Sequence, residues 1–127
     1  MTTQQKIIET NLAPKAVGTY SQGVHYNGVY YFSGMLGLNP ETMELATDFQ
    51  GQLDQIMKNI AGLLSSQNLN KENIIKTTIF LTDLKNFQMV NNAYEKFFKM
   101  PYPARSCVEV SALPKEALVE IEVIAAG

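Results

Sequence analysis

The chain has 127 residues, room for one compact domain (1–127) and not comfortably for two. Apolar residues make up 46 % and charged residues 17 %, a balance that fills a core and excludes a disordered segment. The formal net charge is −2, without the basic excess by which nucleic-acid binders neutralise phosphates, so a nucleic-acid partner is not expected.

In chain order, Ile7 and Ile8 begin a short strand, and a loop follows to Pro14. The stretch Tyr20 to Tyr26 reads as a strand. Asn27-Gly28 is a two-residue turn signal, because both residues tolerate positive φ, and Val29 to Ser33 returns as the second strand of a hairpin. Gly34 and Gly37 to Pro40 read as loop. Thr47 with Gln50 three residues later resembles a capping box. Behind it, Phe49, Leu53, Ile56, Ile60, Leu63 and Leu64 repeat at helical spacing, which predicts a helix to about Gln67. Ile74 to Thr82 is rich in β-branched residues and predicts a strand. Asp83 then caps a second helix carrying Phe87, Val90, Tyr94, Phe97 and Phe98, stopped by Pro101 and Pro103. Two strands close the chain, Ala104 to Val110 and Val119 to Ala126, joined through Leu113-Pro114.

The order β-β-α-β-α-β-β, with an N-terminal strand besides, predicts an α+β fold: one sheet with both amphipathic helices on one face. The other face must then be polar or covered by another copy of the chain. The Tyr- and Phe-rich hairpin argues for the copy, and so for an oligomer.

One cysteine, Cys107, leaves no partner for an intrachain disulfide. With one histidine, His25, the chain falls short of the four Cys/His ligands a structural zinc site normally takes, and no metal is expected. No apolar run approaches the ~20 residues that span a bilayer, and the first residues lack the apolar core of a signal peptide. These features lead to the expectation of a cytoplasmic protein without a membrane partner.

The chemistry-bearing residues sit on the last two strands. Alternation puts Arg105, Cys107 and Glu109 on one face, and Glu120 and Glu122 share a face. If the two strands pair as a hairpin, these charged sets meet on the face away from the helices. Two readings stay open there. Arg105 and a glutamate form a structural cross-strand ion pair, or Arg105 recognises a small anion beside an acid–base carboxylate. Arginine suits a carboxylate because its planar fork makes two parallel charge-assisted hydrogen bonds. Cys107 as a nucleophile would need His25 as its base, and nothing in the sequence brings them together. Tyr20 and Ser33 read equally as a packed aromatic and a strand-end hydroxyl. Asn91 is a mediocre helix former in mid-helix and faces solvent or holds a loop.

Several segments resemble the RidA (YjgF-like) family of small deaminases of 2-iminobutanoate and 2-iminopropanoate. Pro103 to Val110 (Pro-Ala-Arg-Ser-Cys-Val-Glu-Val), Leu113-Pro114-Lys115 and Glu120-Ile121-Glu122 are similar to its C-terminal signature. Gly18 to Gly23, Phe32-Ser33-Gly34, and Val90-Asn91 with Tyr94 and Phe98 are similar to its upstream elements. The resemblance covers nearly the whole chain in order. It implies a chorismate-mutase-like mixed sheet with two helices on one face, a homotrimer with sites in the clefts between subunits, and no cofactor. It implies that Arg105 binds the substrate carboxylate and Glu120 positions or activates water. Tyr20, Ser33, Gly34, Asn91 and Cys107 would line the pocket. Thr19 stands where proline is common and Met35 where glutamine is common, and both adjoin the expected pocket, which bears on substrate range. The implied reaction is hydrolysis of reactive 2-imino or enamine acids to 2-keto acids and ammonia. Its rivals are an endoribonuclease or translation inhibitor, and a non-catalytic module that binds small carboxylates.

Overall fold

The computed structural model describes residues 4–127. Six strands, β1 (Lys6–Ile8), β2 (Gly23–Tyr26), β3 (Val29–Phe32), β4 (Ile74–Leu81), β5 (Ala104–Glu109) and β6 (Val119–Ala126), form one sheet in the order β1-β2-β3-β6-β4-β5. Two helices, α1 (Phe49–Ser66) and α2 (Phe87–Phe97), complete the mixed α+β arrangement expected from the sequence. No helix among the described residues is long and apolar enough to cross a membrane.

The Asn27-Gly28 turn joins β2 to β3, with φ of 52° and 78° at its two residues. Both values lie in the left-handed region that asparagine and glycine reach most readily. Strand β2 begins at Gly23, three residues later than expected, which leaves Tyr20 in the preceding loop.

The last two strands correct the sequence reading more deeply. They do not form a hairpin. Strand β4 lies between them, and β5 pairs with β4 in parallel as an edge strand. Strand β6 is antiparallel to both β3 and β4, so β3 and β4 run the same way. Parallel neighbours need a crossover connection, and α2 supplies it between β4 and β5. Helix α1 does the same between β3 and β4, leaving the slot that β6 fills.

Strand β4 contains a register irregularity between Ile74 and Lys76 against β6. The extra residue resets the side-chain alternation. Thr77, Ile79 and Leu81 therefore turn inward, beside Val119, Ile121 and Val123 of β6, and all six are buried. The stripe Leu53, Ile56, Ile60, Leu63 and Leu64 of α1, with Val90 and Tyr94 of α2, closes over this face.

The helix starts also differ from expectation. Helix α1 is capped by Asp48, whose side chain accepts from the Gly51 N–H at 2.8 Å, and Thr47-Gln50 makes no capping box. Position N3 is then Gly51, which has no side chain to reach back. Asp83 caps a 3₁₀ turn, Leu84–Asn86, and α2 begins only at Phe87. The chain turns extended at Phe98, ahead of Pro101 and Pro103.

Candidate functional site

Glu120 and Glu122 of β6 point to the sheet face away from the helices, because the intervening residues Val119, Ile121 and Val123 fill the core. Beyond β3 the chain runs on beside β6. Met35 donates to the Ile121 carbonyl at 2.8 Å and accepts from the Ile121 N–H at 3.1 Å. This lays Gly34 directly over the Glu120 side chain. A Cβ at Gly34 would stand 2.8 Å from the Glu120 carboxyl carbon and closer still to one oxygen, so no larger residue fits without moving the carboxylate. The Ser33 hydroxyl donates to the Ser21 carbonyl at 2.6 Å, tying this turn to the Tyr20 loop. Tyr20 itself is exposed, and its hydroxyl accepts from the Val17 N–H at 3.4 Å.

Together these residues line a cleft of about 870 Å³ with Tyr20, Ser33 and Gly34 on one side and Glu120 and Glu122 on the floor. Burial pushes the Glu120 carboxyl above the ordinary carboxylate range, and the neighbouring Glu122 charge raises it further. Lys115 stands at the rim with a left-handed φ of 59°, followed by Glu116 at 57°. Two such residues in succession are strained for side chains of this kind. Of the two departures from the family pattern, Met35 is buried and Thr19 is exposed.

Arg105 lies elsewhere. Its strand pairs with β4 in parallel, Thr77 opposite Arg105 and Ile79 opposite Cys107, so both side chains face the helices. This contradicts the expected meeting of Arg105 with the β6 glutamates. The reason is the inserted β4, whose buried residues set the phase of β5. Arg105 donates from Nη1 to Asn91 Oδ1 at 2.7 Å, and its guanidinium lies over the rings of Phe87 and Tyr94, 5.1 and 5.3 Å from their centroids. The hollow beside it, about 410 Å³, is shared with Asn91, Tyr94, Tyr102 and Pro103.

The cross-strand ion pair is also not what holds Arg105. Its hydrogen-bond partner among the described residues is an amide, and Glu109 instead accepts from the Leu84 N–H at 2.9 Å. Along the sheet, Arg105 and Glu120 are two strands and three residues out of step, on opposite faces. Within one protomer the two side chains do not meet.

Cys107 is half-buried beside the core, and burial pushes its thiol up, partly offset by the Arg105 charge. A raised thiol is a poor nucleophile. His25 stacks on Tyr30 with 4.0 Å between ring centroids, and strand β2 lies four strand spacings from β5, roughly 19 Å. The fold therefore does not bring His25 to Cys107 in one protomer.

Three buried amides that the sequence reading passed over hold loop backbone, two of them, Gln22 and Asn59, at the Glu120 cleft. Gln22 donates to the carbonyls of Thr10, Ala13 and Pro14 and accepts from the Thr10 N–H. Asn59 donates to the carbonyls of Leu36 and Leu38. Gln52 donates to the Ala46 carbonyl and accepts from the Leu118 N–H. The signal was present in α1, where Gln52, Ile56, Asn59 and Leu63 fall on one helical face, polar residues set among apolar ones.

Comparison with known proteins gives a consistent picture. The family profile described as Endoribonuclease L-PSP matches residues 10–127. A RutC family protein of Aquifex aeolicus is 47 % identical over 93 % of this chain and 96 % of its own length. The 2-iminobutanoate/2-iminopropanoate deaminase of Escherichia coli K12 is 42 % identical over 94 % of this chain and 96 % of its own. The crystal structure of RidA from an Antarctic Psychrobacter superposes with a TM-score of 0.93 at 42 % identity, covering 96 % of this chain and 99 % of that one.

Proposed function

Since this chain belongs to the Endoribonuclease L-PSP (RidA/YjgF) family, we propose that it is a reactive-intermediate deaminase that hydrolyses 2-imino acids to 2-keto acids and ammonia, without a cofactor, at sites between the subunits of a homotrimer. The observation that carries this reading is the separation of Arg105 and Glu120 onto opposite faces of one sheet. Each is presented as a half-site, and a second copy of the chain supplies the missing half of each. The exposed apolar side chains on the open face, Tyr31 and Val108 among them, suit burial against such a copy.

The chemistry follows from the substrate. An imine carbon is already electrophilic, so the protein must orient it, hold a water against it and move protons. Arg105 of one subunit grips the carboxylate. Its guanidinium has five N–H donors, of which Asn91 takes one. The imine reacts in its protonated form. Glu120 of the next subunit accepts a proton from water as the C–O bond forms, giving a neutral carbinolamine, and returns that proton to the amine nitrogen. As the C–N bond breaks the hydroxyl oxygen becomes the keto oxygen and its proton passes to the departing ammonia, so ammonium and the keto acid leave and Glu120 is again a carboxylate. A carboxyl raised by burial suits both steps, since it holds and releases a proton nearer neutrality than an exposed one. Cys107 lines the site as a thiol with no covalent role.

The test is release of ammonia and 2-oxobutanoate from freshly generated 2-iminobutanoate. The expected result is hydrolysis well above the rate in buffer, and a rate equal to buffer would refute the proposal.

A further inference from the structure

We propose that Phe87, Asn91 and Tyr94 form a positioning clamp that pre-sets the Arg105 guanidinium for a carboxylate; this rests on the reading of Arg105 as the anion-binding group. An arginine on an exposed edge strand samples many rotamers, and freezing them on binding weakens the grip. Arg105 is on such a strand, yet its head group is held on three sides by one helix.

The three residues stand at i, i+4 and i+7 on α2, a single stripe. Asn91 takes one in-plane N–H at 2.7 Å. Phe87 and Tyr94 offer ring faces 5.1 and 5.3 Å from the guanidinium carbon, within the range of cation–π attraction. Phe87 is 36 % exposed, and the guanidinium lies over its ring. Tyr94 is fixed from below. Its hydroxyl donates at 2.8 Å to Thr77 Oγ1 in the core, and Thr77 is the strand partner of Arg105. Strand pairing, buried hydrogen bond and ring face thus close one circuit around the guanidinium. The remaining in-plane donors stay available. Asn91 acts here through Arg105, where the family resemblance implied that it lines the pocket.

The clamp residues are positioning residues. A carboxylate contact is made equally in ground and transition state, so loosening it raises KM and leaves kcat. The experiment compares Phe87→Leu, Phe87→Tyr, Asn91→Ala and Arg105→Ala at a temperature where each is folded and assembled. It measures imine hydrolysis and, independently of turnover, calorimetric binding of 2-oxobutanoate. Phe87→Leu keeps apolar bulk and loses the ring, and Phe87→Tyr keeps the ring. The expected result is a KM and Kd raised about two- to fivefold for Phe87→Leu and Asn91→Ala with kcat held, wild-type values for Phe87→Tyr, and about tenfold or more lost for Arg105→Ala. Unchanged KM and Kd for Phe87→Leu and Asn91→Ala beside a damaged Arg105→Ala would overturn the clamp alone. Unchanged Kd and kcat/KM for Arg105→Ala would overturn the anion-binding role on which the clamp rests.

Discussion

At the scale of single residues, the proposed chemistry turns on how closely Glu120 is surrounded. Gly34 is glycine because its Cα passes over the carboxylate, with φ in the ordinary range, so the constraint is space and not backbone conformation. The neighbour that an added Cβ would strike is the far end of a flexible side chain, which gives way before the fold does. Gly34→Ala is therefore expected to leave the melting temperature nearly unchanged and to lower kcat about tenfold to a hundredfold by displacing the carboxylate. Wild-type kcat would show that the position of the Glu120 carboxylate does not matter. The pH profile offers a second check. In the proposed reaction Glu120 must be ionised to accept a proton, so activity is expected to rise with pH through its raised pKa. Removing the Glu122 charge favours ionisation and lowers that pKa. Glu122→Gln is expected to move the acid limb of kcat/KM to lower pH, and an unmoved limb would exclude the coupling. Arg105 and Glu120 were legible in the sequence as residues too costly to desolvate without a purpose or a partner, and only the family resemblance implied roles for them. Which face Arg105 takes was not, because the phase of an edge strand is set by its neighbour.

At the scale of elements, periodicity located both helices and the Asn27-Gly28 turn signal located the first hairpin, since these depend on neighbours in sequence. It missed the β4 irregularity and the insertion of β4 between β5 and β6. Both depend on pairing between segments distant in the chain, which local alternation does not encode. It also missed that α1 does more than cover the sheet. Asn59 is 1 % exposed and holds the Leu36 and Leu38 carbonyls at 3.2 and 2.9 Å, so the helix anchors the wall of the Glu120 cleft. Asn59→Ala leaves those carbonyls without their partner. It is expected to destabilise the protein by about 1–3 kcal/mol in urea denaturation, the cost of stranding buried polar groups. A change under about 0.5 kcal/mol, the size of an ordinary surface substitution, would mean the loop is held by something else.

At the scale of the whole molecule, the sheet has one face filled by helices and one open, with Glu120 on the open face and Arg105 on the helix side of an edge strand. In the proposed assembly the edge of one chain meets the open face of the next, and in a ring of three this would unite them at each junction. Mixing two impaired variants tests whether the proposed site is shared between subunits. At substrate concentrations well below KM, Arg105→Ala is expected to lose about tenfold or more as a pure assembly and Glu120→Gln to be nearly inactive. When the two are unfolded, combined in equal amounts and reassembled, about a quarter of the junctions in a random trimer pair an intact Arg105 with an intact Glu120 from the adjacent chain. Imine hydrolysis should recover to about a quarter of the rate of wild-type protein carried through the same reassembly. Recovery no greater than that of the separate variants, in mixed assemblies verified as trimers, would contradict a site shared between subunits.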